Sequence, residues 1–297
     1  MRLVALIVLA LAGAAQAADW NGTVPASVTA DPPRDADHPA ASSELLIPSH
    51  GSELNALIYM AARAGPHPTV ILLHGIPGNE QNLDLAQAIR RSGWNVLTLH
   101  YRGSWGSQGK FSVGHSIEDG DSAIAFIRQP EIAAKYNIDT TRIVLGGHSM
   151  GGLVTAAHAR HDPALLGAFL IDAWNAGRTG AGLAPLGKEE LHKRAAENFN
   201  DFGHSLQGAT PDSTAAELIP HKSDWNFQDW APQLAKRPLL VIGASHANGE
   251  ENHKLAAAVA SAGGTVEDYT LDSDHSFQDH RIALESIVVT WLNSLTR

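Results

Sequence analysis

The sequence predicts an α/β fold, in which helices cover both faces of a mostly parallel central sheet. From residue 43 onward, short apolar runs such as TVILL and LGAFLI alternate with amphipathic stretches of helical period, which is typical of strand–helix alternation. The runs are continuously apolar, as expected of strands that are buried on both faces. The 297 residues are 44% hydrophobic, so the chain can build the core that such a sheet needs.

The individual elements follow from periodicity and from the Gly and Pro residues that bound them. Residues 18–42 lack periodic apolar spacing, so we expect a loose lead-in before a domain that spans residues 43–297. An antiparallel pair of strands opens the domain and six more strands follow, at 44–47, 54–60, 69–73, 95–100, 142–145, 166–171, 239–242 and 265–271. Helices are predicted at 83–91, 116–127, 151–160, 255–261 and 282–295.

One long stretch, residues 173–237, contains no clear buried strand. A structureless loop of that length is unusual in a compact domain, and the segments 188–197 and 213–218 have helical character. We therefore expect a helical insertion that lies over one end of the sheet. Its aromatic side chains would line a pocket beneath it or form its own core, and they include Trp174, Trp225 and Trp230.

The N-terminus has the three-part pattern of a secretory signal peptide. Arg2 is followed by an apolar stretch at residues 3–12, and residues 15–17 read Ala-Gln-Ala. The pattern predicts cleavage after Ala17 and a periplasmic or secreted product, without stable membrane insertion once the signal is removed. An N-terminal membrane anchor is the alternative, although the apolar run is shorter than the roughly 20 residues that span a bilayer.

Composition excludes several classes of function. Against 31 acidic side chains there are only 21 basic ones, scattered along the chain, which argues against a nucleic-acid partner. The absence of cysteine excludes a disulfide scaffold, a thiol nucleophile and cysteine-ligated metals. His158 and His161 lie three apart on a predicted helix, but no third ligand follows nearby, so no metal site is predicted.

The first catalytic candidate is Ser149. Residues 147–151 read Gly-His-Ser-Met-Gly, a G-x-S-x-G motif that follows the strand RIVL and precedes a predicted helix. This is the setting of a nucleophile elbow, a sharp turn that lifts a serine hydroxyl above the sheet. Glycines are needed on either side because a side chain there would collide across the turn.

The second candidate is the loop at residues 74–78, His-Gly-Ile-Pro-Gly, which follows the strand TVILL. An acyl-transfer enzyme needs backbone N–H groups where the oxyanion develops. Met150, directly after the serine, should supply one of them. Ile76, with Gly75 beside it, should supply the other, because Pro77 has no N–H.

The third candidate is His275, which follows the last predicted strand and precedes the last helix. A nucleophilic serine needs a base, and in the order serine, acid, histidine the base comes late in the chain. His280 is the competitor, five residues further on at the predicted helix start. Position in the fold therefore favours His275.

The acid of the triad is the least determined member. Asp172 ends the strand LGAFLI and should face the edge of the sheet that holds Ser149. Glu250 follows the strand LLVI, in a loop that has no Asp and carries His246 where an acid would be expected. Asp172 is the predicted acid, and Glu250 or no carboxylate from either position are the alternatives.

With these features the chain resembles the α/β-hydrolase family over about residues 43–297. HGIPG resembles the family's oxyanion loop, GHSMGG its nucleophile elbow and DHSF its histidine loop. Residues 101–107 resemble the loop after the fourth strand, which often borders the site, and residues 173–237 stand where the family has its cap domain. The resemblance implies hydrolysis of esters, amides or peptides without metal or organic cofactor. The missing Asp after LLVI departs from the family's pattern.

Three functions are compatible with these residues. The leading one is a serine esterase, in which Ser149 attacks a small-molecule ester, His275 transfers the proton, and Met150 and Ile76 hold the oxyanion. The second is a serine peptidase or aminopeptidase on the same fold, although no residue is identified that would bind a peptide amine. The third is a catalytically weak relative that binds a ligand, which the presence of His246 suggests.

Overall fold

A computed structural model describes residues 20–199, 202 and 204–296, so the predicted signal peptide lies outside the described residues. Within them, eight strands form one sheet: β1 Ala41–Ser49, β2 Ser52–Met60, β3 His67–Leu73, β4 Asn95–Leu99, β5 Ile138–His148, β6 Leu165–Ile171, β7 Leu239–Ala244 and β8 Val266–Leu271.

The helices of the described residues flank this sheet or lie between β6 and β7. They are α1 Ala26–Thr29, α2 Leu83–Arg91, α3 Val113–Ile127, α4 Pro130–Lys135, α5 Met150–Ala159, α6 Ala176–Leu183, α7 Lys188–Asn198, α8 Pro211–Leu218, a 3₁₀ turn Phe227–Trp230, α9 Ala231–Leu234, α10 Gly249–Ser261 and α11 Arg281–Ser294.

The strand order is β1-β2-β4-β3-β5-β6-β7-β8. β2 pairs antiparallel with both β1 and β4, and every other neighbouring pair is parallel. The predicted fold class and the antiparallel opening pair are therefore confirmed. The central strands β3, β6 and β7 and the second half of β5 are almost wholly buried, which explains why they read as continuous apolar runs.

Successive residues of the strands feed two separate cores, one on each face of the sheet. In β3, Val70 and Leu72 pack with α1, α2 and α11, whereas Ile71 and Leu73 pack with α3, α5 and α10. The buried side chains of the helices between β6 and β7 belong to the same core as Ile71 and Leu73. No helix of the described residues is long and apolar enough to cross a bilayer.

Several predicted boundaries were wrong where an element is polar. β5 starts at Ile138 rather than at residue 142, because its first half is half-exposed and carries polar side chains. α10 starts at Gly249 rather than at residue 255, since its first two turns are charged and only the later ones carry an apolar face. The exposed α4 and the glycine-rich α6 gave no periodic signal and were not predicted.

The lead-in at residues 18–42 is more ordered than expected where it is described. β1 begins at Ala41, which pairs with Met60, so the sheet starts three residues before residue 44. Upstream, α1 packs against α2 and α11 and buries Val28 in the core that they share, and Arg91 donates hydrogen bonds to the carbonyls of Ser27 and Val28. These contacts fix the lead-in on the domain although it lacks a periodic pattern.

Candidate active site

Ser149 stands between the end of β5 and the start of α5, in a backbone conformation that serine rarely adopts. Its φ of 58° and ψ of −118° lie in the region that favours glycine. A Cβ on Gly147 would meet the Gly151 carbonyl oxygen at 2.1 Å, and one on Gly151 would meet the Leu73 oxygen at 2.1 Å. The turn predicted from the G-x-S-x-G motif is therefore present, and it needs glycine on both sides of the serine.

The structure brings Asp172 and His275 into direct contact. Asp172 follows the last residue of β6, is fully buried, and places Oδ2 2.5 Å from Nδ1 of His275. Because a carboxylate only accepts hydrogen bonds, Nδ1 of His275 carries the proton and its Nε2 is left to act as a base. Asp172 Oδ1 also accepts from the backbone N–H groups of Ala244 at 2.9 Å and Asn248 at 3.1 Å.

The other candidate acid lies elsewhere. Glu250 is exposed at the start of α10 and pairs with Lys254 at 2.6 Å. His246 is also exposed, with Nε2 2.9 Å from Oδ1 of Asp272. The last residue of β7 and the loop after it thus reach Asp172 through backbone N–H groups, and Glu250 in this region does not contact His275.

The competing histidine, His280, lies at the N-terminal end of α11 beside Asp279. His275, in contrast, lines the same cavity as Ser149. Of the two histidines considered as the base, His275 is the one that shares a cavity with Ser149.

The two predicted oxyanion donors also border Ser149. Met150 is the first residue of α5, where N–H groups have no acceptor within the helix and the positive end of the helix dipole is found. Ile76 lines the cavity with Ser149. A Cβ on Gly75 would lie 2.8 Å from the Ser149 Cβ and 3.2 Å from Oγ. Gly75 therefore allows the loop after β3 to approach the serine closely.

Side chains from the loop after β4 hold the loop at residues 74–78 in place. Tyr101 donates its hydroxyl to the carbonyl of His74 at 3.1 Å, and Trp105 donates its indole N–H to the carbonyl of Pro77 at 2.8 Å. Residues 101–107 were expected to border the site, and these contacts place Tyr101 and Trp105 against the loop at residues 74–78.

A cavity of about 500 Å³ opens over Ser149. Besides Ser149 and His275, its described walls are Ile76, Pro77, Trp174, Thr179, Asn198, Phe199, Phe202, Ala247 and Asn248. Of the three tryptophans considered from the sequence, Trp174 lines it. Trp225 instead stacks on His221, with ring centroids 4.1 Å apart, and Trp230 faces Arg160.

The chain between β6 and β7 supplies most of this wall, and sequence reasoning missed four of its members. Trp174 and Phe199 meet edge to face at 6.1 Å, and Phe199 packs on Phe202 at 5.8 Å. Thr179 accepts the indole N–H of Trp174 at 2.8 Å. A search for aromatic residues in the insertion would have found the two phenylalanines, but no sequence signal distinguishes Thr179 or Asn198.

The loop of His275 is anchored to α2 on its far side. Arg281 donates to the Ser276 carbonyl at 3.0 Å and to Asp84 Oδ2 at 2.7 Å. Glu285, one turn further along α11, is nearly buried beside Asp84. Burial, together with the Asp84 charge, raises the pKa of Glu285 to about 7.

His158 lies on α5, whereas its predicted partner His161 lies beyond the helix end, and both ring nitrogens of His158 contact protein groups. Its Nε2 lies 2.8 Å from the Ile117 carbonyl and its Nδ1 3.0 Å from Asp121 Oδ1. Among the described residues, no group of three or more His, Asp or Glu side chains is arranged to hold a metal ion.

The sequence was compared with known families and proteins. A sequence profile described as "Alpha/beta hydrolase family" matches residues 70–285. The alpha/beta hydrolase domain-containing protein WAV2 of Arabidopsis thaliana is 30% identical over 107 residues, which cover 35% of this chain and 33% of that protein. An uncharacterised protein of Mycobacterium tuberculosis is 28% identical over 126 residues, covering 42% of this chain and 43% of that one. The matches thus span less than half the length of these relatives.

Solved structures share the fold at low sequence identity. The thermostable carboxylesterase EstE1, cloned from a metagenomic library, superposes with a TM-score of 0.62 at 18% identity, over 88% of this chain and 91% of that one. A carboxyl esterase of Bacillus coagulans gives a TM-score of 0.62 at 16% identity, over 86% and 99%. The acylaminoacyl peptidase of Pyrococcus horikoshii gives 0.60 at 14% identity, over 86% and 41%.

Proposed function

The chain belongs to the alpha/beta hydrolase family, and we propose that it hydrolyses a small-molecule carboxylic ester through an acyl-enzyme on Ser149. The observation that carries the proposal is the pairing behind the cavity: buried Asp172 lies 2.5 Å from Nδ1 of His275, and His275 shares the cavity with Ser149. An imidazole whose outer nitrogen is held in this way is oriented to act as a base through Nε2.

The proposed reaction has two halves. In the first, Nε2 of His275 takes the hydroxyl proton as Ser149 attacks the ester carbonyl, and the proton then passes to the departing alcohol. The N–H groups of Met150 and Ile76 stabilise the negative oxygen of the tetrahedral intermediate. In the second half, His275 takes a proton from water as it attacks the acyl-serine, and returns it to Ser149 Oγ as the bond to the acyl group breaks and the carboxylic acid leaves. Asp172 stabilises the imidazolium that forms in both halves.

The cavity favours an ester over a peptide with a free amine. An aminopeptidase needs a negative group to bind the substrate's ammonium, and the described residues that line the cavity include no Asp or Glu. The aromatic wall of Trp174, Phe199 and Phe202 is suited to an apolar acyl or alcohol group. The esterases among the similar structures are consistent with this proposal, and a serine peptidase remains the second candidate because an acylaminoacyl peptidase shares the fold.

We also propose that the protein is exported. The signal-peptide pattern at residues 1–17 supports a mature chain that starts at Ala18 and works in the periplasm or outside the cell. Sequencing the N-terminus of the exported protein tests this, and a product that retains Met1 would refute it.

The proposed activity is tested by labelling and turnover together. Wild type should react with a fluorophosphonate probe and hydrolyse p-nitrophenyl esters faster than dipeptide amides. Ser149→Ala should lose labelling and at least about 10³-fold in turnover while it stays folded. Faster cleavage of the amides would favour the peptidase. Absence of labelling in wild type would favour the third hypothesis, a ligand-binding relative.

A further inference from the structure

We propose that His100 is a positioning residue for this hydrolysis, and that it acts through His74 on the peptide that carries the Ile76 N–H. The inference rests on the proposed function for its kinetic consequence. The arrangement of the two histidines is a separate structural claim with its own test.

His74 is the centre of the arrangement. Its side chain is 3% exposed, and burial, reinforced by neighbouring His100, lowers the pKa of His74 to about 3. The ring is therefore neutral at any pH at which the protein would work. Its Nδ1 lies 2.7 Å from the carbonyl oxygen of Gly75. Because a carbonyl only accepts, the single ring proton is on Nδ1, and Nε2 must be an acceptor.

His100 supplies the proton that His74 Nε2 requires. Nδ1 of His100 lies 3.3 Å from Nε2 of His74, and their ring centroids are 5.2 Å apart. Since Nε2 of His74 has only a lone pair to offer, Nδ1 of His100 is the donor. The result is a directional chain, from His100 to His74 to the Gly75 carbonyl, in which both rings are Nδ1–H tautomers.

The end of this chain is a group that the proposed mechanism uses. The Gly75 carbonyl and the Ile76 N–H belong to the same planar peptide unit and point in opposite directions. Holding the carbonyl towards His74 therefore turns the N–H away from His74. Gly75 approaches Ser149 so closely that a Cβ would touch it at 2.8 Å, which places this peptide at the nucleophile.

The His74 ring has little room to leave this position. A Cβ on Gly78 would lie 2.6 Å from ring atoms of His74, so the ring is packed directly on that glycine. Tyr101 lies against it edge to face, at 4.8 Å between centroids. What packing does not determine is which nitrogen carries the proton. The Gly75 carbonyl favours a proton on Nδ1, and the bond from His100 reinforces that choice, because without this donor the Nε2–H tautomer competes and the Gly75 carbonyl loses its partner.

The kinetic test compares two substitutions at His100. Asparagine places an N–H donor near the position of Nδ1, whereas leucine keeps bulk without a donor. We expect His100→Leu to lower kcat by about 10- to 10²-fold with little change in KM, because an oxyanion donor acts mainly in the transition state. His100→Asn should retain most of the wild-type kcat. His192→Leu, at a histidine 72% exposed on α7, is the matched control and should leave both constants unchanged.

Binding of a boronic acid, which forms a tetrahedral adduct on serine, should weaken in His100→Leu in proportion to kcat/KM. Equal losses in the Leu and Asn variants, or a change confined to KM, would overturn the kinetic claim.

The structural test does not depend on activity. In ¹⁵N-histidine NMR spectra of wild type, His74 and His100 should both show the Nδ1–H tautomer, and His74 should not titrate between pH 5 and 8, as expected of its pKa of about 3. His100→Leu should shift the His74 signals. An Nε2–H tautomer at His74, or its titration near pH 6.5, would overturn the proposal even if the protein were found to hydrolyse no ester.

Discussion

Nε2 of His148 lies 2.7 Å from the backbone carbonyl oxygen of His275, so the residue that precedes the candidate nucleophile holds the loop of the candidate base. Burial, together with the neighbouring His275, lowers the pKa of His148 to about 3. His148 is therefore a neutral donor to that carbonyl. The segment that carries Ser149 thus also sets the position of His275.

This bond predicts a difference between two substitutions at residue 148. His148→Leu leaves the His275 carbonyl without its donor, which should destabilise the fold by about 1–3 kcal/mol. It should also lower turnover by about 10-fold or more through misplacement of the base. His148→Gln can donate from its amide and should recover much of both losses. Urea unfolding and ester turnover measure the two effects, and identical behaviour of the two variants would contradict the prediction.

The contact between Asp172 and His275 predicts which carboxylate is required. Asp172→Asn keeps the shape of the side chain but removes its charge, so turnover should fall by about 10²- to 10⁴-fold. Glu250→Gln is the matched control, because Glu250 is exposed and pairs with Lys254, and it should be nearly silent. Turnover of both variants is measured on one ester that the wild type hydrolyses rapidly. A large loss in Glu250→Gln with nearly normal turnover in Asp172→Asn would refute the assignment.

Gly75 predicts a steric effect on the nucleophile. In Gly75→Ala the new Cβ would lie 2.8 Å from the Ser149 Cβ, so the loop or the serine must move. We expect a loss of about 10²-fold in kcat. Gly182→Ala is the control: it meets nothing within 4 Å in helix α6 and should stabilise the protein by about 0.5–1 kcal/mol. Unchanged turnover in Gly75→Ala would show that the loop does not abut the serine.

Glu285 predicts a pH dependence of stability. The pKa of Glu285 is about 7 in the folded protein, against 4.5 for an ordinary glutamate side chain. Between these two values the folded state therefore binds more protons than the unfolded chain. The stabilisation that this proton provides is present at low pH and is lost as the pH rises through about 7.

Glu285→Gln stays neutral at every pH, so it should gain stability relative to wild type between pH 5 and pH 8. His74 and His148 have lowered pKa values and destabilise wild type and variant alike on the acid side, so their effects cancel in this comparison. Urea midpoints of both proteins across the range measure the difference. A constant difference would show that Glu285 is already charged at pH 5.

The candidate site could be located from sequence because its residues follow strands. Ser149, Asp172 and Ile76 each come after a buried apolar run, and the carboxyl ends of parallel strands meet at one edge of the sheet. The rule predicts that these side chains are close in space, however many residues separate them in the sequence. The acid was ambiguous because Glu250 satisfies the same rule, and the two are separated only by the structure, in which buried Asp172 contacts His275 while exposed Glu250 pairs with Lys254.

What could not be predicted depends on contacts between distant segments. The bond between His100 and His74 spans 26 residues, and no local pattern marks either ring as a donor or an acceptor. The cavity wall contributed by Phe199 and Phe202 depends on how α7 packs against α8, which no local pattern specifies. The early turns of α10 and the first half of β5 are polar, so periodicity in hydrophobicity could not reveal them.

The way in which Asp172 is held changes what the loop after β7 must conserve. The N–H groups of Ala244 and Asn248 belong to the main chain and are the same for every residue except proline. As far as those two bonds are concerned, the loop is free to exchange side chains but not to change its length or accept proline at either position. Asn248 also donates its side-chain amide to the Asp172 carbonyl at 3.1 Å, so across relatives that hold their acid in the same way residues 245–247 should vary in side chain, position 248 should keep an amide, and the segment should remain free of insertions and deletions.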